Sequence, residues 1–182
     1  PAGGARIVLP ANQEKPNAVG YETNFRLRGE FEVVAVYRDL KTTADRKAWG
    51  PGIDLQLRLD GPDNADLMFE RRQREDGQHV LQSIYARDLP GQLDRPSTLK
   101  GNTIAAAAGK LKIVRSGPMI YFLFGEYGSD DYRLLSEERA GDADALRVKV
   151  YARAFSKESG VDVVLEKLSI RAESFVAPGK TP

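Results

Sequence analysis

Ile53, Leu55, Leu57 and Leu59 stand at alternate positions, with Asp54, Gln56, Arg58 and Asp60 between them, and this run constrains the chain more than any other feature. An extended backbone points successive side chains to opposite faces, so the segment has one apolar and one polar face as a strand. Wound as a helix, the same residues would be scattered around a cylinder. Phe31, Val33, Ala35 and Tyr37 alternate in the same way with Glu32, Val34, Val36 and Arg38, and Leu146, Val148 and Val150 alternate with Arg147, Lys149 and Tyr151. The alternation predicts that Leu55, Leu57, Ile113, Phe122, Val148 and Val150 are buried.

Turn chemistry separates these runs. Asp60-Gly61-Pro62-Asp63-Asn64 closes one strand, and Asp76-Gly77 reads as a hairpin between Leu67–Glu75 and His79–Arg87. Ser116-Gly117-Pro118 links Lys110–Arg115 to Met119–Gly125, and residues 157–160 link Arg147–Phe155 to Val161–Ala172. Roughly ten to twelve strands with short connections predict an antiparallel sandwich or barrel rather than βαβ units. Helix is expected to be scarce: Asp39–Ala48 could form a turn or two, Asp131–Arg139 fits helix or strand, and Ala105–Ala108, between Gly101 and Gly109, is expected to be strand or loop. Residues 1–19 are expected to be an N-terminal extension or edge strand, residues 20–176 the sandwich, and residues 177–182 an exit linker.

Composition narrows the function classes. Lys plus Arg number 27 and Asp plus Glu 26, a net charge of +1, without the basic excess of a nucleic-acid binder. No apolar run approaches the ~20 residues of a membrane helix, so no membrane insertion is expected. Cysteine is absent, which removes disulfides, thiolate metal sites and a cysteine nucleophile. His79 is the only histidine, so sites built on paired histidines are excluded within this chain, and His79 itself reads as an exposed turn residue. A G-x-S-x-G nucleophile elbow and a Gly-rich phosphate loop are also missing. The start, Pro1-Ala2-Gly3-Gly4, reads as part of a longer precursor.

The order of strands resembles a known class. Phe25-Arg26-Leu27-Arg28-Gly29-Glu30-Phe31-Glu32-Val33 is similar to the opening strand of concanavalin A-like jelly-roll domains, the laminin-G-like and lectin/glucanase group. Gly109–Gly117 resembles their hairpin, followed by the aromatic strand Ile120–Phe124, and Val163–Glu173 resembles their closing strand. Tyr37–Lys41, Gly50–Leu55 and Arg71–Gly77 resemble an uncharacterised bacterial family of such domains. Asp130–Leu134 departs from the class at the position where it usually carries a Trp. The resemblance implies an all-β jelly-roll sandwich with little helix. It also implies structural calcium as a candidate cofactor, with Glu22, Asn24 and Glu173 as the ligands that the class pattern places near the chain ends. The Ser129–Asp131 loop and the Gly141–Asp144 turn are equal alternatives.

Retaining glycosidases need two carboxylates about 5–5.5 Å apart, and the E-x-D-x-x-E strand of jelly-roll glycosidases is absent here. The expectation is therefore a non-catalytic module that binds glycan or protein within a larger exported or cell-envelope protein. Its partners would be a polysaccharide or neighbouring domains of the same precursor. A glycan-active hydrolase or lyase and a purely structural packing domain are the alternatives. The expected ligand face is polar and built from Gln56, Arg58, Arg72, Tyr85, Arg87 and Tyr151, which offer forked donors and flat rings. Arginines outnumber carboxylates in that set, so an acidic sugar is the expected preference. Trp49, alone among glycines, reads as a loop anchor or core plug.

Overall fold

The structure is a computed structural model that describes residues 3–14, 18–43, 50–61, 63–88 and 97–177. Trp49, the second half of the Asp39–Ala48 segment, and residues 178–182 lie outside the described residues. Within them the chain forms twelve β-strands and no helix: β1 Ala5–Leu9, β2 Ala18–Glu22, β3 Arg26–Thr43, β4 Gly52–Leu59, β5 Asp66–Gln73, β6 His79–Ala86, β7 Ser97–Thr103, β8 Gly109–Ser116, β9 Met119–Glu126, β10 Arg133–Arg139, β11 Ala145–Arg153 and β12 Gly160–Val176. Residues 39–43 extend β3, Asp131–Arg139 supplies β10, and Ala105–Ala108 is loop.

All pairings are antiparallel. A front layer runs β2-β11-β4-β5-β6-β7, and a back layer runs β1-β12-β3-β8-β9-β10. They join where Leu27 of β3 pairs with Ala145 of β11. The result is an antiparallel β-sandwich, one of the two architectures that the alternation predicts, and the jelly roll that the resemblance implies.

Alternation explains why the layers stack. The inner face of the front layer carries Ile53, Leu55, Leu57, Leu59, Leu67, Phe69, Leu81, Val148 and Val150, all essentially without solvent contact. Opposite them lie Leu27, Phe31, Val33, Ala35, Tyr37, Leu111, Ile113, Ile120, Phe122 and Phe124. Phe69 meets Phe122 edge to face across the gap, with centroids 5.8 Å apart. Ser83 of β6 and Ser136 of β10 share a hydrogen bond of 2.5 Å across the same gap, so neither hydroxyl is buried unpaired.

Among the polar residues of the inner faces, Arg71 and Arg115 are buried charges. Arg71 is buried and donates to the carbonyl of Ala106 from Nε (3.2 Å) and Nη2 (2.8 Å), and to that of Arg72 from Nη1 (3.1 Å). Desolvation pulls its pKa down and pushes that of neighbouring Tyr37 up to about 12. His79 opens β6 beside them. It is half-buried rather than an exposed turn residue, and burial, followed by the charge of Arg71, lowers its pKa.

Candidate functional site

The outer face of the front layer is a lattice whose rows can be read from the strand registers. One row runs Gly20, Tyr151, Asp54, Glu70, Gln82, Gly101. The next runs Ala18, Arg153, Gly52, Arg72, Val80, Thr103, and on the other side lies Glu22, Lys149, Gln56, Met68, Ile84, Leu99.

The first two rows hold a buried charge network. Arg72 donates from Nε to Glu70 Oε2 (2.9 Å), from Nη2 to Asp54 Oδ2 (2.5 Å) and Glu70 Oε1 (3.2 Å), and from Nη1 to the Gly50 carbonyl (3.0 Å). Gln82 donates to Glu70 Oε2 at 2.5 Å. Arg72 is 1%, Asp54 0% and Glu70 2% exposed, unusual values for charges on an outer sheet face. The Phe155 ring helps to cover them, with the guanidinium carbons of Arg72 and Arg153 lying 4.8 and 4.4 Å from its centroid. Desolvation raises the Asp54 pKa to about 7, partly countered by Arg72, and Asp54 Oδ1 makes no hydrogen bond. Burial also raises Tyr151 far above the usual phenol range, and the charge of Asp54 adds to the shift.

Beside this network lies an open cleft of about 530 Å³. Its lining includes Gly20 and Glu22 from β2, Lys149, Tyr151 and Arg153 from β11, Gln56 from β4, and Asp66 and Met68 from β5. The volume falls in the range of small-ligand sites. Its charges are committed to one another. Glu22 accepts from Lys149 (2.9 Å) and Arg147 (3.1 Å), and the Lys149 contact, against some desolvation, holds its pKa down. Arg58 bridges Asp66 (2.9 Å) and Asp88 (3.2 Å). On the floor, the Tyr151 hydroxyl donates to Gln56 Oε1 at 2.9 Å.

Of the residues expected to bind ligand, Gln56, Arg58, Arg72 and Tyr151 share this outer face, but Arg72 and Tyr151 are almost fully covered. Two placements correct the sequence expectation. Tyr85 pairs with Leu67 in the inner set and belongs to the core. Arg87 lies past the end of β6, its guanidinium carbon 5.5 Å from the Tyr85 ring centroid. The hairpin register joins Arg72 to Val80 and Glu70 to Gln82, which sends His79, Leu81, Ser83 and Tyr85 inward. Glu22, expected beside Asn24 and Glu173 as a metal ligand, points instead to Lys149 and Arg147 on the front layer. Glu173 belongs to β12 of the back layer, its carboxylate lying over Gly29. Among the described residues no three His, Asp or Glu side chains gather as a metal site.

Glu70 reads from the sequence as an ion-pair partner of the arginines, sharing a face with Arg72, but Gln82, between Leu81 and Ser83, and Phe155, just beyond the last alternating residue, carry no such mark. The signal for Asp54 was present: an acid midway along a strand whose next strand carries Glu and Arg two apart.

A family model described as "Protein of unknown function (DUF1583) C domain" matches residues 2–182. No curated protein matches the chain by sequence. Among solved structures, a legume lectin-like domain from Entamoeba histolytica superposes with a TM-score of 0.60 at 10% identity, covering 94% of this chain and 89% of that one. The carbohydrate-binding module CBM66 from Bacillus subtilis gives 0.53 at 10% identity, with 88% and 84% covered. A GH16 protein of the Bacteroides ovatus mixed-linkage glucan locus gives 0.53 at 7% identity, with 80% and 70% covered. At these identities the likeness is one of fold, that of concanavalin-like jelly rolls.

Proposed function

We propose, for a chain that belongs to the family described as the DUF1583 C domain, that it is a non-catalytic glycan-binding module of a larger protein. The observation that carries this reading is the open cleft over β2, β11, β4 and β5, lined by amide, ammonium, guanidinium and carboxylate groups around a thioether floor. Sugars present many hydroxyls and an apolar ring face, and such a mixed lining serves both. The lectin-like and carbohydrate-binding neighbours support the same reading.

The charge pairing revises the kind of glycan. Arg58, Arg72, Arg147, Lys149 and Arg153 are matched by Glu22, Asp54, Asp66, Glu70 and Asp88 on the same face or at its rim. Each of these cations stands within 3.9 Å of a carboxylate, which leaves none of them unpaired to favour an acidic sugar, so the ligand is a neutral glycan. The buried carboxylates also bear on catalysis. Asp54 and Glu70 face each other across β4 and β5, but Arg72 engages both and solvent reaches neither, an arrangement that supports binding over hydrolysis.

A glycan array followed by titration calorimetry tests this. Neutral oligosaccharides should bind, and Gln56→Ala and Lys149→Ala should each weaken binding by about tenfold, a loss of the order of one hydrogen bond to a charged or polar group, with the melting temperature nearly unchanged. If no glycan binds, or if both variants bind as the parent does, the reading fails.

A further inference from the structure

We infer that the cleft selects a glycan bearing N-acetylated amino sugars, an inference that rests on the glycan reading and names its substrate class. The key lies in the row Glu22, Lys149, Gln56, Met68, Ile84, Leu99, which changes character at its midpoint. Glu22, Lys149 and Gln56 on the β2 side are polar; Met68, Ile84 and Leu99 on the β7 side are apolar. Gln56 and Met68 sit at that boundary as direct cross-strand partners, both half-buried and both lining the cleft. Their neighbours in the adjoining row, Asp54 and Glu70, are closed off, so Gln56 and Met68 form the accessible floor there.

The hydrogen bond from Tyr151 fixes what Gln56 offers. With Oε1 accepting the phenol proton, the side-chain NH2 is the group left for a ligand, and it can only donate. Burial holds Tyr151 protonated well beyond neutral pH, so this polarity does not change under ordinary conditions. The floor therefore presents a donor beside a soft apolar surface about one strand spacing, roughly 4.8 Å, away. An acetamido group is complementary to that pair: its carbonyl accepts from Gln56 Nε2 while its methyl rests on Met68. Ile84 and Leu99 continue the apolar surface, giving the C–H face of a neighbouring ring an aliphatic floor. A ring hydroxyl in place of the acetamido group would satisfy Gln56 but set a polar group against Met68.

Triacetylchitotriose and cellotriose share linkage and length and differ at this substituent, so they are the probes. Titration calorimetry of the intact chain should show triacetylchitotriose binding about tenfold or more tightly, as one methyl-sized contact can give. Met68→Ser should bring the two affinities together by weakening triacetylchitotriose, with the melting temperature nearly unchanged. Gln56→Glu, which turns the donor into an acceptor, should weaken triacetylchitotriose more than cellotriose. Equal affinities in the parent, or a preference that survives Met68→Ser, overturns the inference. The same holds if chitotriose without its acetyl groups binds as well as the acetylated form, because a cation would then be the recognised feature. If neither trisaccharide binds but another neutral glycan does, the inference fails and the glycan reading stands; if no glycan binds at all, both fall.

Discussion

Without the guanidinium of Arg72, two carboxylates would face each other on adjacent strands, with Gln82 as the remaining donor to Glu70 and with Arg153 3.9 Å from Asp54. Breaking a buried ion pair from one side costs about 3–5 kcal/mol, because the charge left behind is neither solvated nor paired. Arg72→Met keeps the length of the side chain and much of its packing, so its loss of unfolding free energy, read from denaturant titration, should be of that size. Asp54 adds a pH signature. Its folded pKa, about 7, stands above its unfolded value of 3.8, so in that window the native state holds the proton more tightly than the unfolded chain. Stability from this group is greatest below the unfolded pKa and is lost as pH rises through the folded one. Urea titrations at pH 4.5 and pH 7.5 should show Asp54→Asn losing less stability than the parent over that rise. A variant whose slope matches the parent's would mean that Asp54 stays ionised beside Arg72. The misplacement of Tyr85 belongs to this scale too. His79, Leu81, Ser83 and Tyr85 alternate with Val80, Gln82, Ile84 and Ala86, and each set mixes apolar with polar, so period two cannot say which faces the core. A slip of one residue reverses the whole strand, and only the register with β5 decides it.

At the scale of elements, legibility follows burial. β4, β8 and β11 bury one face fully and leave most of the other only partly covered, and their sequences alternate accordingly. β2 and β7 are exposed along their whole length, so no apolar period marks them; Ser97–Thr103 looks like loop until its pairing with β6 is seen. Yet β2 forms one wall of the candidate site. Gly20 is what lets it approach: a Cβ there would fall 2.2 Å from the Val150 carbonyl oxygen and 2.6 Å from the Tyr151 Cβ. A larger residue must push the strand away from β11 and with it Glu22, the partner of Lys149. Gly20→Val should therefore abolish glycan binding and the hydrogen-exchange protection of the β2 amides. Because β2 contributes no buried residue, the global unfolding midpoint should barely move. Retained binding in that variant would show that β2 is a bystander.

On the scale of the whole molecule, the alternation announces a sandwich but not which strands meet. β11 lies between β2 and β4, and β12 between β1 and β3, pairings that join the two halves of the chain and leave no local mark. β1 is the extreme case, pairing Ala5–Leu9 with Val161–Leu165 and closing one edge of the back layer. Ile7 and Leu9 are each 3% exposed and enter the main core, while Arg6 is paired with Asp162 at 2.5 Å on the surface. The ion pair is exposed and adds little, so the strand is held by its two apolar side chains and its ladder. Full burial of such side chains is worth about 1.5–3 kcal/mol each. Deleting residues 1–9 should then cost on the order of 3–6 kcal/mol, of the same size as a single core truncation such as Leu57→Ala at about 2–5 kcal/mol. The deletion has a second consequence that Leu57→Ala lacks. It bares the backbone of β12 along Val161–Leu165, an unpaired edge open to pairing with another chain. Thermal melts should show both variants destabilised, but light scattering below the melting transition should rise with time for the deletion alone. If the deletion melts like the parent, β1 does not close that edge, and the back layer stands without it.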